Sequence, residues 1–186
     1  QRPSLGSNLK WGTIEDATGD LPCASFEGEQ LAVLYSIPDN RRLKGRHQAT
    51  VSNYRELAQT VQILHSSHHA QSRFDNPLES TLDGCITLGQ LMTPGWRLPQ
   101  LSDVFLSCCE TGLGVSEITG DILTFSTAFL SAGARSVIGT LWAVDDLATA
   151  LFSIFYYQEW QQGKNRPEAI RQAQVKLRSL AGNTLA

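Results

Sequence analysis

Residues 103–114, DVFLSCCETGLG, decide the fold. Val104, Phe105 and Leu106 form a short apolar run that stops at Ser107, Cys108, Cys109, Glu110, Thr111 and Gly112, the profile of a buried strand emptying into a polar turn. In an open α/β sheet, ligands gather outside the carboxyl ends of the strands, so a thiol just beyond such an end stands where substrate arrives. Cys109 is the first candidate nucleophile. Residues 61–69, VQILHSSHH, supply its counterpart, a second apolar run ending in His65, His68 and His69. If the two strands are neighbours, an imidazole and a thiol meet at one edge of the sheet, as a cysteine nucleophile requires.

Outward from these two runs the chain alternates strand and helix. Residues 9–14 read as a first strand, ending toward a turn at Thr18, Gly19 and Asp20. A helix follows from Ser25, with Phe26, Gln30, Leu31 and Leu34 on one face and Glu27 and Glu29 in its first turn, where they favour the dipole; Pro38 ends it. Leu43 to His47 reads as a short strand. Thr50 is the N-cap of a helix over 51–59 that turns Tyr54, Leu57 and Ala58 inward. Residues 61–66 and 103–108 are the two central strands. Between them, 84–93 fits either a small hairpin or a strand leading into a short helix.

Residues 121–134 form a helix, apolar almost all round and closed by Gly133, and 136–142 a third apolar strand. Asp145 or Asp146 caps a helix running to about Gln162, and Pro167 opens a last helix whose Ile170, Ala173, Leu177 and Leu180 recur at helical spacing before Gly182. This order predicts an α/β fold, a three-layer α/β/α sandwich around a mostly parallel sheet.

At 186 residues, 41% apolar and 18% charged, the chain suits one domain over 1–186 with its core at about 21–180. Its start at Gln1 reads as a fragment of a longer protein. A net charge of -3 and a pI near 5.8 offer nucleic acid no long-range attraction. No apolar run reaches membrane-span length, and the first residues lack the pattern of a signal peptide, so neither a membrane nor a secreted location is expected, and the cytoplasm is. Cys23, Cys85, Cys108 and Cys109 do not space as a disulfide framework, and no metal motif is present. No cofactor is expected.

The segments LHSSHH, FLSCCETGLG, GDILTFSTAFLSAGARSVIGTLWAVDDLATALF and AIRQAQVKLR together resemble the CHAT domain (caspase HetF associated with TPRs), a clan CD peptidase family of the caspase-haemoglobinase fold. The resemblance implies a cysteine endopeptidase with a Cys-His dyad, in which Cys109 takes the nucleophile position and His68 that of the catalytic histidine. Cys108 falls on the family's alanine, and His69 replaces its usual glycine. The oxyanion donors would be backbone amides of Cys109 and of the residue at or beside His69. Clan members that cut after basic residues have an aspartate a few places beyond a Leu-Trp pair. Here Leu141 and Trp142 precede Asp145 and Asp146, with Asp121 as a second candidate, so the expected substrate is a protein cleaved after arginine or lysine. The family's domains are commonly attached to helical repeats, which adds a regulatory partner to the expectation.

Plainer readings stand beside these. Cys108, Cys85 and Cys23 read as packing residues, and His65 and His69 as structural. Either aspartate of the pair can serve as a helix cap alone. Two other functions stay open: a degenerate member that binds a peptide or partner without cutting, and a flavodoxin-like binding domain whose Gly112-x-Gly114 turn holds a phosphate.

Overall fold

The computed structural model describes residues 9–71, 73, 75–82, 85–108, 123–140 and 144–183. The first half runs β1 (Trp11–Glu15), α1 (Pro22–Tyr35), β2 (Arg42–Lys44), α2 (Gly45–Gln48), α3 (Val51–Thr60) and β3 (Ile63–Ser67). Three two-residue strands follow as a small antiparallel sheet, β4 (Ala70–Gln71), β5 (Thr81–Leu82) and β6 (Ile86–Thr87). The second half continues with α4 (Leu88–Leu91), β7 (Asp103–Ser107), α5 (Phe125–Ala132), β8 (Ser136–Ile138), α6 (Asp146–Gln161) and α7 (Arg166–Asn183). The main sheet has the order β2-β1-β3-β7-β8 with every neighbouring pair parallel. Its order reverses between β1 and β3, which opens a crevice at the carboxyl ends of the strands there.

The period-two alternation of the strands divides the core into two layers. Trp11, Ile63 and Phe105 face α1, α6 and α7, where they meet Leu31, Tyr157, Trp160 and Ala173. Ile14, Leu64, Val104 and Leu106 face the other way onto α3, α4 and α5, against Tyr54, Leu57, Leu91 and Phe129. The result is the expected three-layer arrangement around a mostly parallel sheet. None of the described helices is long and apolar enough to cross a membrane.

Several boundaries differ from the sequence reading, each for a local reason. Helix α1 starts at Pro22, whose fixed φ suits the first turn, so Glu27 and Glu29 lie beyond that turn. Its buried face is Ala24, Glu27, Gly28 and Leu31, while Phe26 is 49% exposed. Gly28 is where the helix meets β1 most closely: a Cβ there would stand 2.2 Å from the Glu15 carboxyl carbon. Residues after Lys44 turn helical as α2, because Gly45 takes a φ of 64° and bends the chain off the sheet edge. Within 84–93 a strand, β6, leads into the short helix α4, started by a capping box of Thr87 and Gln90, while β6 pairs back onto β5, which precedes this passage. Helix α5 begins at Phe125 behind a Thr124 cap, and β8 is three residues long. Helix α7 runs past Gly182 to Asn183.

Candidate active site

β3 and β7 are neighbours, in a register that sets Ser67 directly opposite Ser107. The residues that follow, His68 and Cys108, therefore leave adjacent strand ends. The His68 backbone N–H donates to the Ser107 carbonyl at 3.4 Å, which keeps the two ends together one residue past the strand. The His68 side chain is 1% exposed and lies 6.2 Å, ring to ring, from Tyr54. Its Nδ1 is 2.9 Å from the His69 carbonyl oxygen. A carbonyl only accepts, so Nδ1 carries a proton, and in the neutral ring the lone pair sits on Nε2. That is the tautomer in which Nε2 acts as a base.

Beside His68 lies a cavity of about 160 Å³ formed by Leu21, His69, Ser107, Cys108, Val144, Asp146 and Thr149. Asp146 is its acid. One carboxylate oxygen of Asp146 accepts the Cys23 backbone N–H, 3.0 Å away in the first turn of α1. Burial, together with this carboxylate, pushes the Cys23 thiol up from its ordinary value. Asp145 does different work. It is exposed and caps α6 by accepting the Ala148 N–H at 2.9 Å, and it borders a separate apolar groove between α6 and α7 with Leu147, Leu177 and Leu180.

The rim of the cavity comes from the turn after β1. Asp16, at a φ of 47°, accepts the N–H groups of Gly19, Asp20 and Leu21 on one oxygen, which folds the turn toward the site. Asp20 then meets His69 Nε2 at 3.1 Å on the solvent side. The Thr18 hydroxyl first, and His69 after it, hold the Asp20 carboxyl below its usual value.

Under the floor of the site lies a buried polar cluster. Glu27 is 1% exposed, and its Oε2 accepts the hydroxyls of Ser67 at 2.7 Å and Ser107 at 3.1 Å. His65 Nε2 is 3.1 Å from the other oxygen, and His65 Nδ1 is 3.3 Å from the Tyr157 hydroxyl. Burial alone would raise the Glu27 pKa, but the His65 imidazole and the Ser153 and Ser67 hydroxyls outweigh it and hold the carboxyl below its ordinary range.

The sequence candidates are thus distributed. His68, His69 and Asp146 come together at one cavity, Asp145 stands outside it, and Cys109, Asp121, Trp142 and the Gly112-x-Gly114 turn lie outside the described residues. Cys108 is buried as a packing residue, whereas Cys85 is exposed, contrary to the packing role read for it, because it sits in the turn between β5 and β6. Sequence reasoning missed Asp20 and Leu21, from the turn before α1, and Val144 and Thr149, from the start of α6. It also read Glu27 only as a first-turn residue of α1, with no inward role. The small residues Ala24 and Gly28 around it, with Leu31, mark a face pressed on the sheet, and that was the available signal. Among the described residues, no three of His, Cys, Asp or Glu converge as metal ligands.

A family model described as the CHAT domain matches residues 13–183. Among solved structures, the chain is similar to the Arg specific cysteine proteinase gingipain R (RgpB), with a TM-score of 0.59 at 11% identity over 91% of this chain and 42% of that one. It is also similar to RgpB of Porphyromonas gingivalis in the complex of its pro- and mature domains, with a TM-score of 0.53 at 12% identity over 82% and 37%. The chain therefore spans less than half the length of either. At these identities the likeness shows a shared caspase-like fold. No curated protein matches the chain.

Proposed function

The chain belongs to the CHAT-domain family, and from that membership we propose that it is a cysteine endopeptidase using Cys109 and His68. The observation that carries the reading is the placement of His68: a buried imidazole with Nδ1 on a carbonyl, at the strand end beside Cys108, the residue directly before Cys109. In the first step His68 Nε2 takes the Cys109 thiol proton, and the thiolate sulfur attacks the peptide carbonyl. Backbone amides of Cys109 and of the residue at or beside His69 stabilise the oxyanion. The protonated Nε2 then gives its proton to the departing amine, which leaves a thioester on Cys109. His68, again neutral, takes a proton from water as that water attacks the thioester, and the returning proton restores the thiol.

Of the two adjacent aspartates, Asp146 is the one assigned to substrate. It lines the cavity next to His68, and a carboxylate in a partly desolvated pocket repels an acidic side chain and attracts a cation. A guanidinium matches it with two parallel hydrogen bonds, so arginine before the cut is preferred to lysine. RgpB is described as Arg specific, in keeping with this assignment. A free-thiol nucleophile suits a reducing, cytoplasmic setting, and control by a partner or by attached helical repeats would restrain it there.

A second reading draws on one observation. His69 stands where the family has glycine, and its side chain sits on the cavity rim tied to Asp20. On that reading the domain binds a peptide or a partner protein without cutting it. The test is hydrolysis of fluorogenic peptides with arginine, lysine, aspartate or leucine before the cut, combined with labelling by a thiol-reactive peptide electrophile. The parent cleaves after arginine and is labelled on Cys109; Cys109→Ala and His68→Ala lose cleavage, Cys108→Ala keeps it, and His69→Gly keeps or raises it. A folded parent that binds peptide but neither cleaves it nor takes the label establishes the second reading instead.

A further inference from the structure

We infer that Glu27 is a positioning residue for the dyad, a clamp from α1 that holds the ends of β3 and β7 in one register. The inference rests on the peptidase reading and adds a residue that this reading does not use. Ser67 and Ser107 are the last residues of their strands and stand opposite each other across the β3–β7 pair. Both hydroxyls donate to the same oxygen, Glu27 Oε2, at 2.7 and 3.1 Å. Ser67 immediately precedes His68, and Ser107 lies two residues before Cys109. A third element thus grips both strands at the point where they give way to the reacting residues. The other carboxylate oxygen faces His65 Nε2 at 3.1 Å, and His65 Nδ1 is 3.3 Å from the Tyr157 hydroxyl.

The chemistry of the position supports a geometric role. A buried charge is costly, and an apolar side chain of similar size would fill the space with no desolvation penalty. What an apolar residue cannot do is accept two hydroxyls at once. A Gln side chain cannot take over fully either, because one of its two positions becomes an NH2 group that donates where the carboxylate accepted. With the oxygen kept on the serine pair, the NH2 faces His65 Nε2, and that contact survives only with the ring proton moved to Nδ1. Displacement of a reacting group by about 1 Å costs on the order of 10²-fold in rate, so loosening the strand ends shows in turnover more than in binding.

The experiment is steady-state hydrolysis of an arginine peptide by the parent, Glu27→Gln, Ser67→Ala, Ser107→Ala and the double variant Glu27→Gln/Ser67→Ala, with thermal melts to establish folding. For folded Glu27→Gln, kcat falls about 10- to 100-fold while KM stays within about twofold. Each serine variant lowers kcat by a smaller factor, and the double variant is no worse than Glu27→Gln alone, because both act through one carboxylate. If Glu27→Gln does not fold, the two serine variants decide. Parental kcat in folded Glu27→Gln, parental kcat in both serine variants, a loss confined to KM, or multiplicative losses in the double variant overturns the positioning role and leaves the peptidase reading intact. A folded parent that neither cleaves nor labels on Cys109 overturns the peptidase reading, and the positioning role with it.

Discussion

Glu27 keeps its charge in the interior because three kinds of partner answer it, the His65 imidazole, the Ser153 hydroxyl and the strand-end serines. That charge has a consequence for stability. Its folded pKa lies below the unfolded value, so the unfolded chain binds the extra proton first as the solution is acidified. The stabilisation is complete above the unfolded glutamate pKa of about 4.3 and is lost as pH falls through the lower folded value. Thermal melts from neutral pH down to about pH 3 therefore separate parent from Glu27→Gln. The parent starts higher and loses Tm more steeply in the acid window; parallel curves would show that Glu27 holds no such charge in the folded protein.

The start of α6 shows how one element divides two tasks between adjacent side chains. Consecutive residues at a helix N-terminus point in directions about 100° apart, so Asp145 reaches its own helix amide while Asp146 faces α1 and the cavity. Asp145→Ala is expected to cost about 0.5–2 kcal/mol of stability, the usual effect of losing an N-cap, and to leave the preference for arginine unchanged. Asp146→Ala should lower the ratio of kcat/KM for arginine over leucine peptides by at least about tenfold, the size of a lost charge-assisted hydrogen bond. Both quantities come from the same two variants by melting and by kinetics. A change of preference in Asp145→Ala, with none in Asp146→Ala, would transfer the substrate role to the other residue.

Across the whole molecule, the sheet edge is tied to the α1 layer by one buried cation. Arg42 on β2 lies 2.8 Å from Glu15 on β1 and 2.8 Å from Glu29 on α1, with side chains of Arg42 and Glu15 only 5% and 2% exposed. Replacing it with an apolar residue leaves the Glu15 carboxylate buried without its cation, a situation that costs about 3–5 kcal/mol. At about 2–4 °C per kcal/mol for a chain of this size, Arg42→Met should lower Tm by about 6–20 °C. Glu15→Gln/Arg42→Met, which removes both charges, should recover much of that loss. If the double variant melts no higher than the single one, the pair is not the connection described here.

The sequence by itself determined the alternation of strands and helices, the adjacency-ready ends of the two central runs, and the residues that start or stop helices: Thr50, Gly133 and one of the pair Asp145 and Asp146. These are local effects: side-chain period, a hydroxyl or carboxylate within reach of its own backbone, a glycine free to take a φ of 129°. The ends of β3 and β7, just before His68 and Cys108, were legible for the same reason, since a run of apolar residues followed by a polar turn is a feature of neighbours in the chain. Only the tertiary structure decided that Glu27 faces inward, that Asp146 and not Asp145 lines the cavity, and that Asp20 meets His69. Each of these depends on partners 40 to 123 residues away in sequence, from Glu27 to Ser67 at the near end to Cys23 and Asp146 at the far end. No periodicity within a single element carries such distances, because they are set by the register of parallel strands and the angle at which helices cross the sheet.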